Sequence, residues 1–142
     1  MTRGERIAAA AKAAVGARFR LHGRDLANGL DCVGLVAVAF RAGGYDGPVP
    51  TGYALRSGDG GALTEQMRAA GFARVRLMRP GDVIAMASGP GQLHLGIVTV
   101  DGFVHADAGL RRVVERPGAP PWPVVGRWRL TSKAKGDATW RR

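Results

Sequence analysis

The sequence predicts an α+β protein in which helices come first and an antiparallel sheet follows. Helix-spaced apolar residues occupy the first half of the 142-residue chain, and short apolar runs separated by turn residues occupy the second half. Glycine is abundant, with 22 residues, which indicates many turns and not a long helical bundle. The helical and strand patterns do not alternate, so a parallel sheet with crossover helices is not expected.

Capping signals place the two main helices. Thr2 and Glu5 have the spacing of a capping box, and the apolar residues that follow share one helix face, which predicts a helix over residues 3–15. Asp31 is a suitable N-cap for a second helix over residues 32–41. Each helix therefore begins with a side chain that can accept a hydrogen bond from the first turn.

Glycine marks the ends of the helical segments. Gly43 and Gly44 are expected to end the second helix. Residues 45–61 are rich in Gly, Pro, Ser and Asp, which predicts a long surface loop of the kind that often shapes a binding groove. A short helix over residues 63–70, ended by Gly71, completes the helical half.

Short apolar runs predict an antiparallel sheet of about five or six strands. The pair Pro80 and Gly81 marks one turn, and the pair Asp101 and Gly102 suits a tight two-residue hairpin. The predicted strands cover residues 73–77, 82–87, 93–100, 103–106, 110–115 and 124–130.

The length is that of one domain, which we place at residues 1–130, followed by a basic and loosely held tail at residues 131–142. The first 19 residues lack the continuous apolar core of a signal peptide. No later segment reaches the roughly 20 apolar residues that span a bilayer. We therefore expect a chain without a membrane span that is cytoplasmic as synthesised.

The charge balance points to an anionic partner. The formal net charge is +10, from 21 Lys and Arg against 11 Asp and Glu, so the surface should attract polyanions. The basic residues are scattered and no base-reading motif is present, so nucleic acid is not the expected partner. Bacterial peptidoglycan, whose stem peptides carry free carboxylates, also fits this charge.

The single cysteine, Cys32, leaves no intramolecular disulfide, zinc cluster or redox pair to consider. Its place in the first turn of the second helix would stabilise a thiolate, because the helix dipole and free amides favour an anion there. The same amides could hold an oxyanion, and Gly34 would leave access to them. Helical spacing also allows a structural thiol on the apolar face, so both interpretations stay open.

Two of the three histidines are candidates for the base that a cysteine nucleophile needs. A two-residue hairpin would pair His105 with Val98 and put it on the same sheet face as His94. Four residues of strand would then separate the two histidines, so a bulge, a wider turn or strong coiling must bring them together. A core histidine is the alternative for His94, and His22 is read as a loop histidine.

Four motifs in order resemble the NlpC/P60 cysteine peptidases. They are GLDCVGLV at residues 29–36, RPGDV at 79–83, LHLGIV at 93–98 and FVHA at 103–106. Their order and spacing resemble the family over residues 7–130, which is nearly the whole chain. Four motifs in register are more specific than any one of them.

This resemblance implies a papain-like core and a catalytic set. Cys32 would be the nucleophile, His94 the general base, and His105 the residue that orients its imidazole. Members of the family typically cut the bond between D-glutamate and diaminopimelate in peptidoglycan stem peptides, and they need no metal or cofactor. Peptidoglycan stem peptides are therefore the partner that the resemblance implies.

Two positions depart from the family pattern. Val33 stands where the family usually has a serine that helps receive the free amine of the substrate. Phe19 stands where a tyrosine commonly hydrogen-bonds near the nucleophile. Asp31, beside its role as N-cap, is a candidate contact for a substrate amine, so Phe19, Asp31 and Gly34 are the substrate-binding candidates and the choice of substrate is open.

The domain without added modules resembles the members found in phage tails and gene-transfer particles, so phage-like tail proteins are candidate partners. The protein would then be virion-associated or released by lysis. Two alternatives remain. One is a related papain-like amidase or acyltransferase, and the other is a non-catalytic tail-assembly module of the same fold.

Overall fold

A computed structural model describes residues 1–50, 52–56 and 60–131, and it confirms the predicted α+β fold. The helices are α1 (Arg3–Ala13), α2 (Cys32–Ala42), α3 (Gly52–Leu55) and α4 (Gly61–Ala69). The strands are β1 (Arg24–Asp25), β2 (Gly29–Leu30), β3 (Ala73–Arg74), β4 (Val83–Gly89), β5 (Gln92–Val98), β6 (Gly102–Asp107), β7 (Arg112–Pro117) and β8 (Val124–Arg129). The tail predicted over residues 131–142 lies, after Thr131, outside the described residues.

Helix α1 begins with the predicted capping box. The amide of Glu5 donates to Thr2 Oγ1 at 3.1 Å, and the amide of Thr2 donates to Glu5 Oε1 at 2.8 Å. These bonds satisfy amides that the first turn leaves without partners. Ile7, Ala8 and Ala11 are buried on the face of α1 that packs against α2.

Helix α2 is the central helix of the core. Asp31 caps it, as predicted, by accepting a hydrogen bond from the amide of Gly34. Most of its side chains are buried because α1 packs against α2 and so do strands of the sheet. Gly43 ends the helix, and Gly44 adopts a positive φ of 91°. Within residues 1–50, 52–56 and 60–131, no helix combines the length and apolar character needed to cross a membrane.

The main sheet has six antiparallel strands within the described part of the chain, in the order β3-β8-β4-β5-β6-β7. This confirms the predicted antiparallel sheet. Strand β3 is shorter than predicted because the chain leaves the sheet after Val75, whose amide still donates to the carbonyl of Arg127. Leu77, which was predicted to end that strand, is 81% exposed.

The two faces of the sheet carry different cores. The face toward the helices holds the main cluster of buried side chains, including Leu93, Leu95 and Ile97 of β5. The opposite face holds a smaller cluster, formed by Ile84, Met86, Val98 and Phe103 together with the partly buried Trp122 and Val124. Successive strand residues point to opposite faces, so His94 belongs to the side of this smaller cluster.

The turn between β5 and β6 is wider than the predicted two-residue hairpin. The ladder pairs Val98 with Phe103 and Ile97 with Val104, so residues 99–102 form the connection. Thr99 closes it, because its amide donates to the carbonyl of Gly102 and its Oγ1 accepts from the amide of Gly102. The predicted pairing of His105 with Val98 is therefore wrong by two residues.

Candidate active site

A cavity of about 350 Å³ brings the predicted catalytic residues together. Cys32, His94 and His105 all line it. We call Arg24, Asp31, Cys32 and Val33 the helix-side wall, because they surround the start of α2. We call His94, His105, Asp107 and Trp122 the sheet-side wall.

The wider turn explains how the two histidines meet. Continued along β5 and β6, the observed register sets His105 opposite Gly96, two residues nearer to His94 than predicted. Diagonal neighbours on one sheet face lie within reach of long side chains. The bare Gly96 leaves room for the ring of Phe103, since a Cβ at Gly96 would lie 3.0 Å from that ring.

The histidine rings form a direct hydrogen bond. His94 Nε2 lies 2.8 Å from His105 Nδ1, and the rings meet edge to face with centroids 5.0 Å apart. This bond occupies Nε2 of His94 and leaves Nδ1 as the nitrogen that can exchange a proton with another group. This contact places His105 where it can hold the imidazole ring of His94.

The tautomer that suits a base can be identified from these contacts. For Nδ1 of His94 to accept a proton, Nε2 of His94 must carry the hydrogen and donate it to His105 Nδ1. His105 then carries its own hydrogen on Nε2, a buried atom without a hydrogen-bond partner among the described residues. His105 is only 1% exposed, so apolar neighbours, including the ring of Phe103 at 5.1 Å, fix its orientation.

Burial keeps the histidine pair uncharged. Desolvation is the main cause that lowers the pKa of His94 to about 4, and the neighbouring His105 lowers it further. The pKa of His105 is also lowered, again mainly by burial. Asp107 opposes both shifts, because its carboxylate favours the protonated form of each ring.

Cys32 is the first residue of α2, as predicted, and it is partly exposed to the cavity. The thiol does not have the lowered pKa that its helix position led us to expect. Burial raises the pKa of Cys32 to about 11, and the nearby Asp31 carboxylate adds to this effect. A hydrogen bond with the backbone of Leu95 and the charge of Arg24 act in the opposite direction. Desolvation is the largest of these effects, and the resting thiol is protonated.

Three donors meet Asp31 within the described residues. Its Oδ1 accepts from the amide of Gly34 and from Arg24 Nη1, both at 2.8 Å. Its Oδ2 accepts from the amide of His22, also at 2.8 Å. His22 has a positive φ of 64°, which is strained for a residue other than glycine, and this hydrogen bond helps to hold it.

The other sequence candidates have different positions. Phe19 lines the cavity and packs against the main core. His22 lies in an exposed loop, as predicted, and also lines the cavity. Gly34 does not line it: a Cβ at Gly34 would lie 2.0 Å from the carbonyl oxygen of Gly23, so close backbone packing requires glycine there. The interpretation of Gly34 as a residue that opens access to the oxyanion is replaced by this packing role.

The sequence did not indicate four charged or aromatic residues of the cavity: Arg24, Arg56, Asp107 and Trp122. Asp107 follows His105 by two residues on one strand, so strand alternation could have identified it. Trp122 lies in a proline-rich loop that gives no periodic signal. Its ring centroid is 5.8 Å from those of both His94 and His105.

Comparison with known proteins identifies the fold. No family model and no curated protein matches the sequence. Solved structures are similar: NlpC2 from Trichomonas vaginalis has a TM-score of 0.69 and 19% identity over 90% of this chain and 46% of its own. An NlpC/P60 family protein from Bacillus cereus has a TM-score of 0.64 and 21% identity, covering 89% of this chain and 39% of its own.

A third similar structure is a single domain. The NlpC/p60 domain of the peptidoglycan hydrolase SagA has a TM-score of 0.56 and 22% identity, over 80% of this chain and 88% of that one. The chain spans less than half the length of the Trichomonas and Bacillus proteins. The predicted NlpC/P60 resemblance is thus confirmed as a shared papain-like α+β fold.

Proposed function

We propose that the chain is a cysteine peptidase that hydrolyses an amide bond of peptidoglycan stem peptides. The observation that carries this proposal is the 2.8 Å bond between His94 Nε2 and His105 Nδ1 in the wall of the cavity that Cys32 also lines. A thiol nucleophile, a base and a residue that orients the base are the parts that such chemistry needs. The shared fold, which includes the domain of a named peptidoglycan hydrolase, supports the same proposal.

The proposed reaction starts from an uncharged pair. A thiol whose pKa is near 11 is protonated at neutral pH, and an imidazole whose pKa is near 4 is free to act as a base. His94 Nδ1 takes the proton of Cys32 as Sγ attacks the substrate carbonyl, so charge develops only during the attack. His105 holds the ring throughout, and Asp107 stabilises the imidazolium electrostatically.

The remaining steps release the two halves of the amide in turn, first the amine and then the carboxylic acid. Amides of the first turn of α2 would stabilise the tetrahedral oxyanion, except that of Gly34, which Asp31 already engages. Collapse releases the amine, which takes its proton from His94, and leaves the acyl group on Cys32 as a thioester. Water then attacks the thioester with His94 as the base, which releases the carboxylic acid and restores the thiol.

The bond between D-glutamate and diaminopimelate is the proposed scissile bond, on the basis of the four resembling motifs. The formal charge of +10 supports a partner that carries carboxylates. The DCVGL sequence around the cysteine is the feature that supports a role with phage-like tail proteins. The presence or absence of the chain in purified particles tests that setting.

A non-catalytic module is the second candidate, and one observation favours it. A thiol whose pKa is raised to about 11 by burial is what an inert structural cysteine would show. The two candidates differ in what removal of the sulfur does. A catalytic role makes Cys32→Ala lose both cleavage and the biological effect, whereas a module that only binds would keep its biological effect.

The deciding experiment is digestion of purified, diaminopimelate-containing peptidoglycan by the wild type and by Cys32→Ala, with the released fragments identified by mass spectrometry. The wild type should release fragments with a new amino terminus, and Cys32→Ala should release none. Defined muropeptides then separate a peptidase from an amidase or acyltransferase by their products. Equal release by both proteins would contradict a cysteine mechanism.

A further inference from the structure

The helix-side wall lacks a free carboxylate for a substrate amine. Both oxygens of Asp31 already accept hydrogen bonds, and Asp31 is only 8% exposed. Its charge is paired with Arg24 at 2.8 Å. Val33, which follows the cysteine, offers an aliphatic side chain and no hydroxyl to accept from an ammonium group.

The group that this wall does offer is the guanidinium of Arg24. Its Nη1 donates to Asp31 and to the carbonyl of Gly23 at 2.9 Å, which fixes the orientation of the planar group. Its Nε and Nη2 have no acceptor among the described residues, and the side chain is 43% exposed. Guanidinium donors of this kind match the two oxygens of a carboxylate.

The remaining charges of the cavity agree with an anionic ligand. Arg56 lines the same cavity and makes no ion pair with any described residue. Asp107, the carboxylate of the opposite wall, acts on the two histidines. The helix-side wall therefore combines a neutralised carboxylate with guanidinium donors that are still free.

We infer that the helix-side wall receives a carboxylate, and not a free ammonium group, from the part of the substrate that lies against Arg24. This inference rests on the proposed function and concerns which stem peptides the enzyme accepts. A substrate with a free amine at that position would place an ammonium against a guanidinium. A substrate with a carboxylate there would gain bidentate hydrogen bonds.

Binding to the Cys32→Ala variant tests the inference without turnover. The probes are three forms of the peptide L-alanyl-γ-D-glutamyl-diaminopimelate, whose amino terminus is free, acetylated or succinylated. Isothermal titration calorimetry at low salt should give a dissociation constant at least about fivefold lower for the succinyl peptide than for the acetyl peptide, and the highest value for the free amine. Tightest binding of the free amine, equal binding of all three, or no binding at millimolar concentration would overturn the inference.

Arg24→Gln in the same background tests the assigned residue. It should abolish the preference for the succinyl peptide and improve binding of the free amine, because it also exposes the charge of Asp31. Arg76→Gln is the matched control, since Arg76 is exposed and lies outside the cavity wall. Circular dichroism checks that each variant is folded. If Arg24→Gln does not fold, Arg56→Gln is the alternative test, because it removes the second guanidinium without touching Asp31. Arg56→Gln should weaken the preference for the succinyl peptide.

Turnover of the same probes by the wild type separates this inference from the proposed function. Charge discrimination in binding without cleavage of any probe would support the carboxylate site and contradict the peptidase. Cleavage that is fastest for the free amine would support the peptidase and overturn the carboxylate site.

Discussion

The two walls of the cavity are built on different physical principles. On the helix-side wall, Asp31 satisfies three donors and pairs its charge with Arg24. On the sheet-side wall, two uncharged histidines share one hydrogen bond, and His105 Nε2 is left without a partner among the described residues. The hydrogen bonds of Asp31 hold the geometry of the first wall, whereas the histidines of the second wall can gain a proton during a reaction.

The difference predicts which substitutions affect chemistry and which affect stability. Removing a group of the sheet-side wall should reduce activity more than stability. Removing the cap of the helix-side wall should do the reverse, because its bonds hold the chain and do not move protons.

The largest effect is expected at the base. His94→Ala should lower kcat/KM by about 10³-fold or more, because the thiol then has no group to take its proton. His105→Ala should cost less, about 10- to 100-fold, since His94 remains but loses its orienting bond. Steady-state kinetics on a defined muropeptide measures both, with His22→Asn as the control for loss of an exposed histidine. Equal losses in all three variants would contradict the division.

The next prediction concerns how acid pH lowers the stability of the fold through His94. Unfolded His94 would bind a proton near its ordinary pKa of 6.5, whereas the folded protein binds it only near pH 4. Stability from this group is therefore complete above pH 6.5. It is lost progressively as the pH falls from 6.5 to 4, and the loss is roughly 2–3 kcal/mol at pH 4.5.

Urea unfolding of the wild type and His94→Gln, at pH 7 and pH 4.5, checks this value. The acid-induced loss should be smaller in His94→Gln by that amount. The same depression predicts that the acid limb of kcat/KM lies well below pH 6.5. A limb at 6.5 or above would mean that the histidine pair is not desolvated during the proposed reaction.

On the helix-side wall, Asp31→Ala should lower the free energy of unfolding by about 2–3 kcal/mol, because three donors lose their acceptor. Asp46→Ala, in an exposed loop, is the matched control and should change stability by less than about 0.5 kcal/mol. Denaturant titration measures both. A stability loss at Asp31 no larger than that of the control would show that this wall does not hold the structure.

The smallest effect is expected at Trp122, which packs against both histidine rings. Trp122→Ala should admit water and move the pKa of His94 upward, so the acid limb of kcat/KM should shift toward pH 6.5 with a loss in rate of roughly three- to tenfold. In Trp122→Phe, the acid limb of kcat/KM should stay close to its wild-type pH. A rate loss without any shift of the limb would point to substrate packing and not to desolvation.

Local signals explain why much of the fold could be predicted from the sequence. Thr2, Glu5 and Asp31 form their capping hydrogen bonds with residues three positions away, so a short stretch of sequence is enough to predict the caps. The predicted strands rest on similar local patterns. Four short motifs likewise indicated Cys32, His94 and His105, which line one cavity.

What the sequence did not predict depends on contacts between distant segments. The hairpin register depends on how Thr99 closes a wider turn, and the raised pKa of Cys32 depends on burial that only the assembled core provides. Arg24 becomes a site residue because it reaches Asp31, and Trp122 because its loop returns to the sheet. No spacing pattern in the sequence predicts any of these four features.

The most direct test of the central claim is to trap the acyl group on Cys32. The wild type is mixed with a defined muropeptide, quenched in acid after a fraction of one turnover, and digested with pepsin for mass spectrometry. We predict that the peptide containing Cys32 carries the added mass of the acyl fragment, and that Cys32→Ala carries none. Cleavage of the muropeptide with no adduct on Cys32, or with an adduct on another residue, would contradict the account.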